Sequence, residues 1–248
     1  MLVYGLCPNF SFISVTFLVI LADLVMFIIE EVQGLDRYSD NLLQVKINTL
    51  IDWGANYQPR YLNGEVYRVL AAIFLHVNFL HIFSNVIATF LFFSRVEYTL
   101  GPVRALIIYL LSGIAANIFS VLVSPEDVKA GASTSLYGII GVIIGYIVIN
   151  WKGLDLLGPY IKCQVWCTAM MIILFIIMFT PTNVNGVDWF GHLGGALAGF
   201  FLSSIGTTIV DNTRERAFRR DSRLGHSLNT RNSGRLQTEP PKEVSISS

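Results

Sequence analysis

Six long apolar stretches dominate this sequence of 248 residues and limit what it can fold into. Each is apolar throughout rather than along one face, and each approaches the roughly 20 residues with which a helix crosses the hydrocarbon core of a bilayer. A strand of a membrane barrel needs only about 10 residues of alternating polarity, which these stretches do not show. We therefore predict an all-α membrane protein with six transmembrane helices, at approximately residues 10–29, 73–94, 103–123, 133–150, 164–180 and 189–210.

The composition agrees with a membrane protein and excludes several other classes. Hydrophobic residues make up 53% of the chain and charged residues 14%, whereas soluble domains carry about 25% charged residues. Nucleic-acid-binding proteins, disordered proteins and most cytosolic enzymes are thereby excluded. The 17 basic and 17 acidic residues cancel, so only their placement is informative. We expect one helical domain over residues 1–210, followed by a polar tail over 211–248 that is mostly disordered.

The placement of Lys and Arg predicts the orientation of the helices. An even number of crossings puts both termini on one side of the membrane, and the polar tail on that side is rich in basic residues, namely Arg214, Arg216, Arg219, Arg220, Arg223, Arg231, Arg235 and Lys242. Because cytoplasmic segments are enriched in Lys and Arg, we expect both termini in the cytoplasm. We see no basic presequence, which favours the secretory pathway or the plasma membrane over the mitochondrion.

The loop after the first stretch, residues 31–72, is unusually long and half apolar. It lies on the non-cytoplasmic side in the predicted topology. Such a segment suits the membrane interface better than bulk water, and long loops with structure of their own are often functional. We predict an interfacial first loop.

Three of the four histidines, His76, His81 and His192, fall inside apolar stretches or at their ends. Ionisable groups are costly there and mark function by default. His81 and Asn85 are four residues apart and share a helix face. His76 is five residues from His81, about 140° round a helix, and is expected to point elsewhere. This spacing does not suit a two-histidine metal site, so we expect no metal and no other cofactor.

The fourth stretch opens with a serine between small residues, in the string Gly131-Ala132-Ser133-Thr134-Ser135. Small neighbours let a substrate backbone approach. The free N–H groups and the positive dipole end of a helix N-terminus favour an oxyanion. The alternative is a simple helix N-cap, for which serine is common, so this motif alone is weak evidence for a nucleophile.

Glycines recur at helical spacing on the fourth and sixth stretches, namely Gly138, Gly141, Gly195 and Gly199. Small residues at this spacing let transmembrane backbones come close together. Packing of these two helices could bring His192 within reach of Ser133, as a nucleophile and its base require. In the predicted topology His81, Asn85, Ser133 and His192 all lie at similar shallow depth on the non-cytoplasmic side.

In combination these residues resemble the rhomboid intramembrane serine proteases. The resemblance covers about residues 10–210 in the same order and spacing, and the combined motifs are highly specific. The matching strings are Trp53-Gly54-Ala55-Asn56, Gly64-Glu65-Val66-Tyr67-Arg68, Phe74-Leu75-His76 with His81 and Asn85, Gly131-Ala132-Ser133 with Tyr137, and His192 with Gly195 and Gly199.

The resemblance implies a six-helix rhomboid bundle and a role for each site residue. Ser133 would be the nucleophile and His192 the general base, a dyad without an essential acid. The oxyanion donors would be the Ser133 N–H and the side chains of His81 and Asn85, with His76 supporting them. Tyr137 would pack against the imidazole of His192. Glu65 and Arg68 would form a pair that stiffens the first loop.

The resemblance also implies the substrates and the route by which they enter. Rhomboids cleave single-span membrane proteins near the extracytoplasmic end of their transmembrane helix, so the expected partners are such proteins and the lipid bilayer, with no nucleic acid. The fifth stretch and the loop at 181–187 would form a lateral gate and a cap.

Two positions depart from the family pattern. Thr134 stands where many members have Gly, and Tyr67 where many have Trp. The Gly-Ala-Ser-Thr-Ser form resembles eukaryotic members, including those of protists. Thr134 narrows the expected site and leaves substrate choice open, but it leaves the dyad intact.

Two other function classes remain as alternatives. A catalytically silent relative would bind transmembrane helices for quality control or trafficking, but such relatives lose the Ser or the His that this chain retains. A transporter or channel would carry charged residues deep in its spans and repeat symmetry, and Asp23 is the one such residue in the predicted spans. For Asp188, four residues before His192, either a helix N-cap or an orienting contact with the imidazole is expected.

Overall fold

The computed structural model describes residues 13–151, 159–179 and 188–204. Within these ranges the chain is helical, and β-structure is limited to two isolated bridges, Leu35–Val45 and Asn56–Lys129. This confirms the predicted all-α class. The loop at 181–187 and the polar tail at 211–248, predicted as a cap and a disordered segment, lie outside the described residues.

Six long helices in the described ranges follow the order of the apolar stretches. Helices α2 and α3 are long and apolar enough, by length and composition, to cross a membrane, while α4 and the Trp166–Ile176 part of α5 are shorter apolar helices. The helices are α1 (Val15–Gly34), α2 (Phe79–Leu100), α3 (Pro102–Val123), α4 (Ser133–Ile149), α5 (Pro159–Phe179) and α6 (189–204).

The boundaries of the first two helices differ from those predicted. Helix α1 continues past residue 29 through two acidic residues to Gly34. Helix α2 begins at Phe79 rather than at residue 73, because the side chain of Asn78 accepts a hydrogen bond from the His81 N–H at 2.9 Å and so caps the helix. The segment before this cap is a short 3₁₀ turn, Ala72–Phe74.

The loop between α1 and α2 contains short helices and packs onto the bundle. The helices are Ile47–Trp53, Gln58–Tyr61 and Arg68–Ala71. One cluster of buried apolar side chains joins the loop to α1 and α2, namely Phe27, Val45, Leu50, Ala55, Leu75 and Ile82. Burial of this apolar surface stabilises the loop as a platform beside the N-terminal end of α2.

Helices α4 and α6 approach each other closely along the predicted glycines. A Cβ atom added to Gly199 would overlap the carbonyl oxygen of Gly138, and one added to Gly195 would overlap the carbonyl of Thr134. A Cβ atom on Gly141 would in turn overlap the carbonyl of Ala196. The two backbones are therefore in direct contact, which sets the distance between side chains at the start of α4 and those at the start of α6.

Candidate active site

Ser133 is the first residue of α4, and the backbone before it is held by a glycine. Gly131 has a φ of +142°, which side-chain-bearing residues rarely adopt. Its N–H donates a hydrogen bond to the Ala72 carbonyl at 2.9 Å. A Cβ atom on Gly131 would lie 2.6 Å from Cε1 of His81. Glycine at this position thus lets the His81 ring lie directly beside the start of α4.

The side chains of Ser133 and His192 form a hydrogen-bonded pair. The Ser133 Oγ and the His192 Nε2 are 2.9 Å apart, and His192 is buried with 9% of its surface exposed. With Ser133 donating, Nε2 accepts and the ring proton resides on Nδ1. In the described part of the chain no group forms a hydrogen bond with Nδ1.

The imidazole of His192 is held by an aromatic ring. Tyr137, one turn after Ser133 on α4, stacks on it with the ring centroids 4.1 Å apart and the planes 9° from parallel. Trp189 approaches the same imidazole edge-on, at 6.3 Å between centroids. The structure therefore brings Ser133, Tyr137 and His192 together, and stacking restricts rotation of the imidazole.

His81 and Asn85, the two predicted side-chain oxyanion donors, lie on α2, and the His81 ring lies beside the segment that leads into Ser133. The two residues lie one turn apart on α2, and the His81 ring borders Gly131. Asn85 is 3% exposed, and among the described residues none accepts a hydrogen bond from its Nδ2. A buried amide with an unused N–H is suited to donate to an oxygen that enters the site.

The expected direction of His76 is wrong. Its spacing predicts a position on the helix about 140° from His81, but α2 begins only at Phe79, so His76 precedes the helix. Its ring lies edge-on to that of His81, with the centroids 5.4 Å apart. Its backbone N–H donates to the carboxylate of Glu30 on α1 at 3.1 Å. His76 thus lies behind His81, next to the site.

Asp188 is the N-cap of α6. Its Oδ1 accepts hydrogen bonds from the Gly191 N–H at 2.8 Å and from the Ser120 hydroxyl at 2.5 Å. These contacts fit the helix-capping role. The alternative, a direct contact that orients the imidazole of His192, is not observed.

Glu65 and Arg68 form an ion pair that closes the first loop. The Arg68 guanidinium is buried and also donates to the carbonyl oxygens of Ile51 at 2.6 Å and Ala55 at 3.1 Å. The Arg68 hydrogen bonds lower the pKa of Glu65 from its ordinary value. The Arg68 side chain thereby links two separate segments of the first loop, the one at Glu65 and the one at Ile51 and Ala55.

Thr134 contributes to the wall of the site. Its side chain is buried, and its hydroxyl lies 3.4 Å from the Gly131 carbonyl. A Cβ atom on Gly191 would lie 2.9 Å from the Thr134 methyl group. The extra bulk relative to Gly therefore fills space between α4 and the first turn of α6.

Two polar residues near the site were not singled out as functional candidates from the sequence. Lys129 pairs with Asn56 in the antiparallel bridge, through backbone hydrogen bonds of 2.8 and 3.0 Å. The Asn56 side chain accepts a hydrogen bond from the Tyr61 hydroxyl at 2.7 Å and donates to the Asn117 carbonyl of α3 at 3.0 Å. Burial raises the pKa of Tyr61 to about 12, so the phenol remains a neutral donor. A lone lysine in a loop gives no sequence signal of such burial.

A serine hydroxyl paired with a histidine is the arrangement that acyl transfer requires of a nucleophile and its base. Among the residues that the structure describes, no group of three or more His, Cys, Asp or Glu is placed to hold a metal ion.

Comparison with known proteins gives consistent matches. The family model of the Rhomboid domain matches residues 63–208. Rhomboid-like protease 1 of Toxoplasma gondii is 31% identical over 81% of this chain and 66% of its own length. Rhomboid-like protease 3 of the same organism is 34% identical over 62% of this chain and 57% of its own length. Rhomboid protease GluP of Bacillus subtilis is 29% identical over 76% of this chain. The chain spans less than two thirds of the length of these relatives.

Proposed function

Because the chain belongs to the rhomboid family, we propose that it is an intramembrane serine endopeptidase with Ser133 as nucleophile and His192 as general base. The family consists of integral membrane proteins that act on transmembrane substrates within the bilayer. For this chain the proposed substrates are single-span membrane proteins, cleaved near the extracytoplasmic end of their transmembrane helix. The observation that carries the proposal is the 2.9 Å contact between the Ser133 hydroxyl and the His192 imidazole.

The proposed reaction proceeds through an acyl-enzyme. The Ser133 Oγ attacks the scissile carbonyl carbon while His192 Nε2 takes the hydroxyl proton. His192 then gives this proton to the leaving amine as the peptide C–N bond breaks. In the second half, His192 takes a proton from water, the hydroxide attacks the ester, and the proton returns to Ser133 as the acid product leaves.

The negative charge that develops on the carbonyl oxygen requires donors. The N–H of Ser133 belongs to the first turn of α4, whose N–H groups have no partner within the helix. His81 and Asn85 supply side-chain donors from α2, and His76 supports His81 from behind. Donors fixed in a site that excludes water stabilise such a charge far more than donors in solution.

The proposed topology has six crossings, with the catalytic domain over residues 1–210 and both termini in the cytoplasm. The order of the six helices and the basic residues of the tail support it. Exposed apolar side chains on the first loop, among them Leu42, Ile47 and Leu62, support its placement at the membrane interface. We also propose the secretory pathway or the plasma membrane as the location.

Cleavage in proteoliposomes tests the proposal against the alternative of a silent, helix-binding relative. The substrate is a single-span protein with small, helix-weakening residues near the outer end of its transmembrane helix. The wild type is compared with Ser133→Ala, and Ser135→Ala serves as the matched control, since it removes a hydroxyl from the same turn. We expect cleavage by the wild type and the control but not by Ser133→Ala. Equal cleavage by Ser133→Ala would contradict the assignment.

A further inference from the structure

A buried lysine, Lys129, lies four residues before Ser133 and next to Asp188, four residues before His192. Lys129 belongs to the loop that leads from α3 into Ser133, and only 8% of its surface is exposed. Its ammonium donates to the carbonyl oxygens of Ser124 at 2.9 Å and Ser120 at 3.2 Å. These carbonyls lie at the C-terminal end of α3, where the helix dipole favours a positive charge.

The same ammonium faces the N-cap of α6. Lys129 Nζ lies 3.9 Å from Oδ1 of Asp188, and both side chains are largely buried. The carboxylate of Asp127, which is mostly exposed, lies 4.0 Å from the same ammonium. Burial lowers the pKa of Lys129, and the two carboxylates oppose this by favouring its charged form. Loss of one member of a buried ion pair leaves the other charge without compensation, which is strongly unfavourable.

The pair joins the two segments that carry the nucleophile and the base. Lys129 precedes Ser133 by four residues, and its backbone is fixed to the first loop through Asn56. Asp188 precedes His192 by four residues, and its backbone carbonyl accepts a hydrogen bond from the His192 N–H at 2.9 Å. A shift of either segment would change the distance between the Ser133 hydroxyl and the His192 imidazole.

We propose that Lys129 and Asp188 are positioning residues, whose ion pair fixes the first turn of α6 against the end of α3 and thereby holds His192 in register with Ser133. The inference rests on the proposed function. In serine proteases with a triad, a buried acid orients the histidine through its Nδ1–H. Here no described residue forms a hydrogen bond with Nδ1 of His192. The position of the His192 imidazole therefore depends on stacking by Tyr137 and on the position of the first turn of α6.

The kinetic consequence separates positioning from substrate binding. Neither side chain reaches the Ser133–His192 contact, so their loss should leave substrate affinity nearly unchanged. Misplacement of reacting groups by about 1 Å can cost 10²-fold in rate. A fall in kcat at constant KM is therefore the expected signature. Because a loss of folded protein would also lower the apparent kcat at constant KM, the variants are compared at equal amounts of folded protein, and Lys129→Arg tests whether the charge restores the rate.

Three variants and one control test the inference. Lys129→Met keeps the length of the stem and removes the charge, while Lys129→Arg keeps the charge. Asp188→Asn keeps an N-cap acceptor for Gly191 and removes the negative charge. Lys46→Met, at an exposed lysine of the first loop, is the control. Each is reconstituted at equal folded protein, and kcat and KM are measured with the single-span substrate.

We expect Lys129→Met and Asp188→Asn to lower kcat about tenfold with KM within about twofold. Lys129→Arg should recover most of kcat, and Lys46→Met should match the wild type. Unchanged kcat in both charge-removing variants, or an equal loss in Lys129→Arg, would overturn the inference. If Lys129→Met does not fold, Asp188→Asn decides, because its helix cap is retained. A wild type that neither cleaves nor reacts with a fluorophosphonate at Ser133 would instead refute the proposed function itself.

Discussion

Asn85 is the residue whose local environment most directly predicts a kinetic effect. It is buried beside His81, and none of the described residues accepts from its Nδ2. We expect Asn85→Ala to lower kcat with the fold intact. Removal of one oxyanion donor costs about 10²–10³-fold, and the lower end applies because His81 and the Ser133 N–H remain. Kinetics at saturating substrate measure this effect.

Ser84→Ala is the neighbouring control for that experiment. The Ser84 hydroxyl donates to the His81 carbonyl within the helix at 2.8 Å, so its loss changes a local bond without removing a donor to the site. Its kcat should stay close to that of the wild type. A rate for Asn85→Ala equal to that of this control would remove Asn85 from the oxyanion site.

Individual site residues were predictable where short motifs carry them. Ser133 between small residues and His192 beside glycines are local patterns, and the structure places the two side chains 2.9 Å apart. The direction of His76 was not predictable from helical spacing, because the spacing argument assumed a continuous helix. The Asn78 cap starts α2 after His76, and the rings of His76 and His81 lie edge-on with their centroids 5.4 Å apart.

At the scale of helices, the close contact between α4 and α6 sets the distance between Ser133 and His192. Because a Cβ atom on Gly199 would overlap the Gly138 carbonyl, Gly199→Ala must push the two backbones apart. Overpacking of this kind costs about 1–3 kcal/mol of stability. It should also lower the rate by separating His192 from Ser133. Thermal unfolding in detergent and the cleavage rate measure the two effects.

Leu197→Ala on the same helix controls for the general effect of a substitution. Leu197 is about half exposed, so its truncation should change stability and rate little. If Gly199→Ala behaved like Leu197→Ala in both measurements, close packing of α4 and α6 would not be needed for the site.

The first loop provides a pH-dependent test of its ion pair. Arg68 lowers the pKa of Glu65 in the folded protein below the ordinary value of 4.5. A group with a lowered folded pKa stabilises the protein above its ordinary pKa, and this contribution disappears as the pH falls through the folded value. We expect the wild type to be more stable than Glu65→Gln at neutral pH and the difference to shrink as the pH falls below 4.5 and through the lowered pKa of Glu65.

Thermal unfolding of both proteins over that pH range measures the difference. Asp36→Asn, in the same loop but distant in sequence from this ion pair, controls for the loss of any carboxylate. A difference between wild type and Glu65→Gln that persists undiminished at the lowest pH would contradict a stabilising charge on Glu65.

The existence and order of the helices were predictable because each apolar stretch is long and continuous. The ends of the helices were less predictable. Helix α1 continues through Glu30 and Glu31, and the Glu30 carboxylate accepts a hydrogen bond from the backbone N–H of His76. That contact joins residues 46 positions apart, and no pattern within one helix reports it.

At the scale of the whole molecule, the proposed topology makes a test of orientation possible. Six crossings and the basic tail predict that both termini face the cytoplasm. Epitope tags at either end should be accessible after selective permeabilisation of the plasma membrane alone. Full permeabilisation of all membranes controls for tag exposure. Tags that become accessible on opposite sides of the membrane would contradict an even number of crossings.

The contacts of Lys129 with Asn56, Asp188 and the end of α3 also depend on the fold of the whole molecule. It forms only because the end of α3, the start of α6 and the first loop meet at one place. In the sequence, Asn56 and Lys129 are 73 residues apart, and Lys129 and Asp188 are 59 residues apart. These contacts could be recognised only in the tertiary fold, whereas the motifs around Ser133 and His192 could be recognised in the sequence.

The central claim is that Ser133 is a nucleophile made reactive by His192. Reaction with a fluorophosphonate, with the modified residue located by mass spectrometry, tests it without any choice of substrate. We predict modification of Ser133 in the wild type, at a rate that falls to background in His192→Ala while the protein stays folded. Modification at another residue, or an unchanged rate in His192→Ala, would contradict the account.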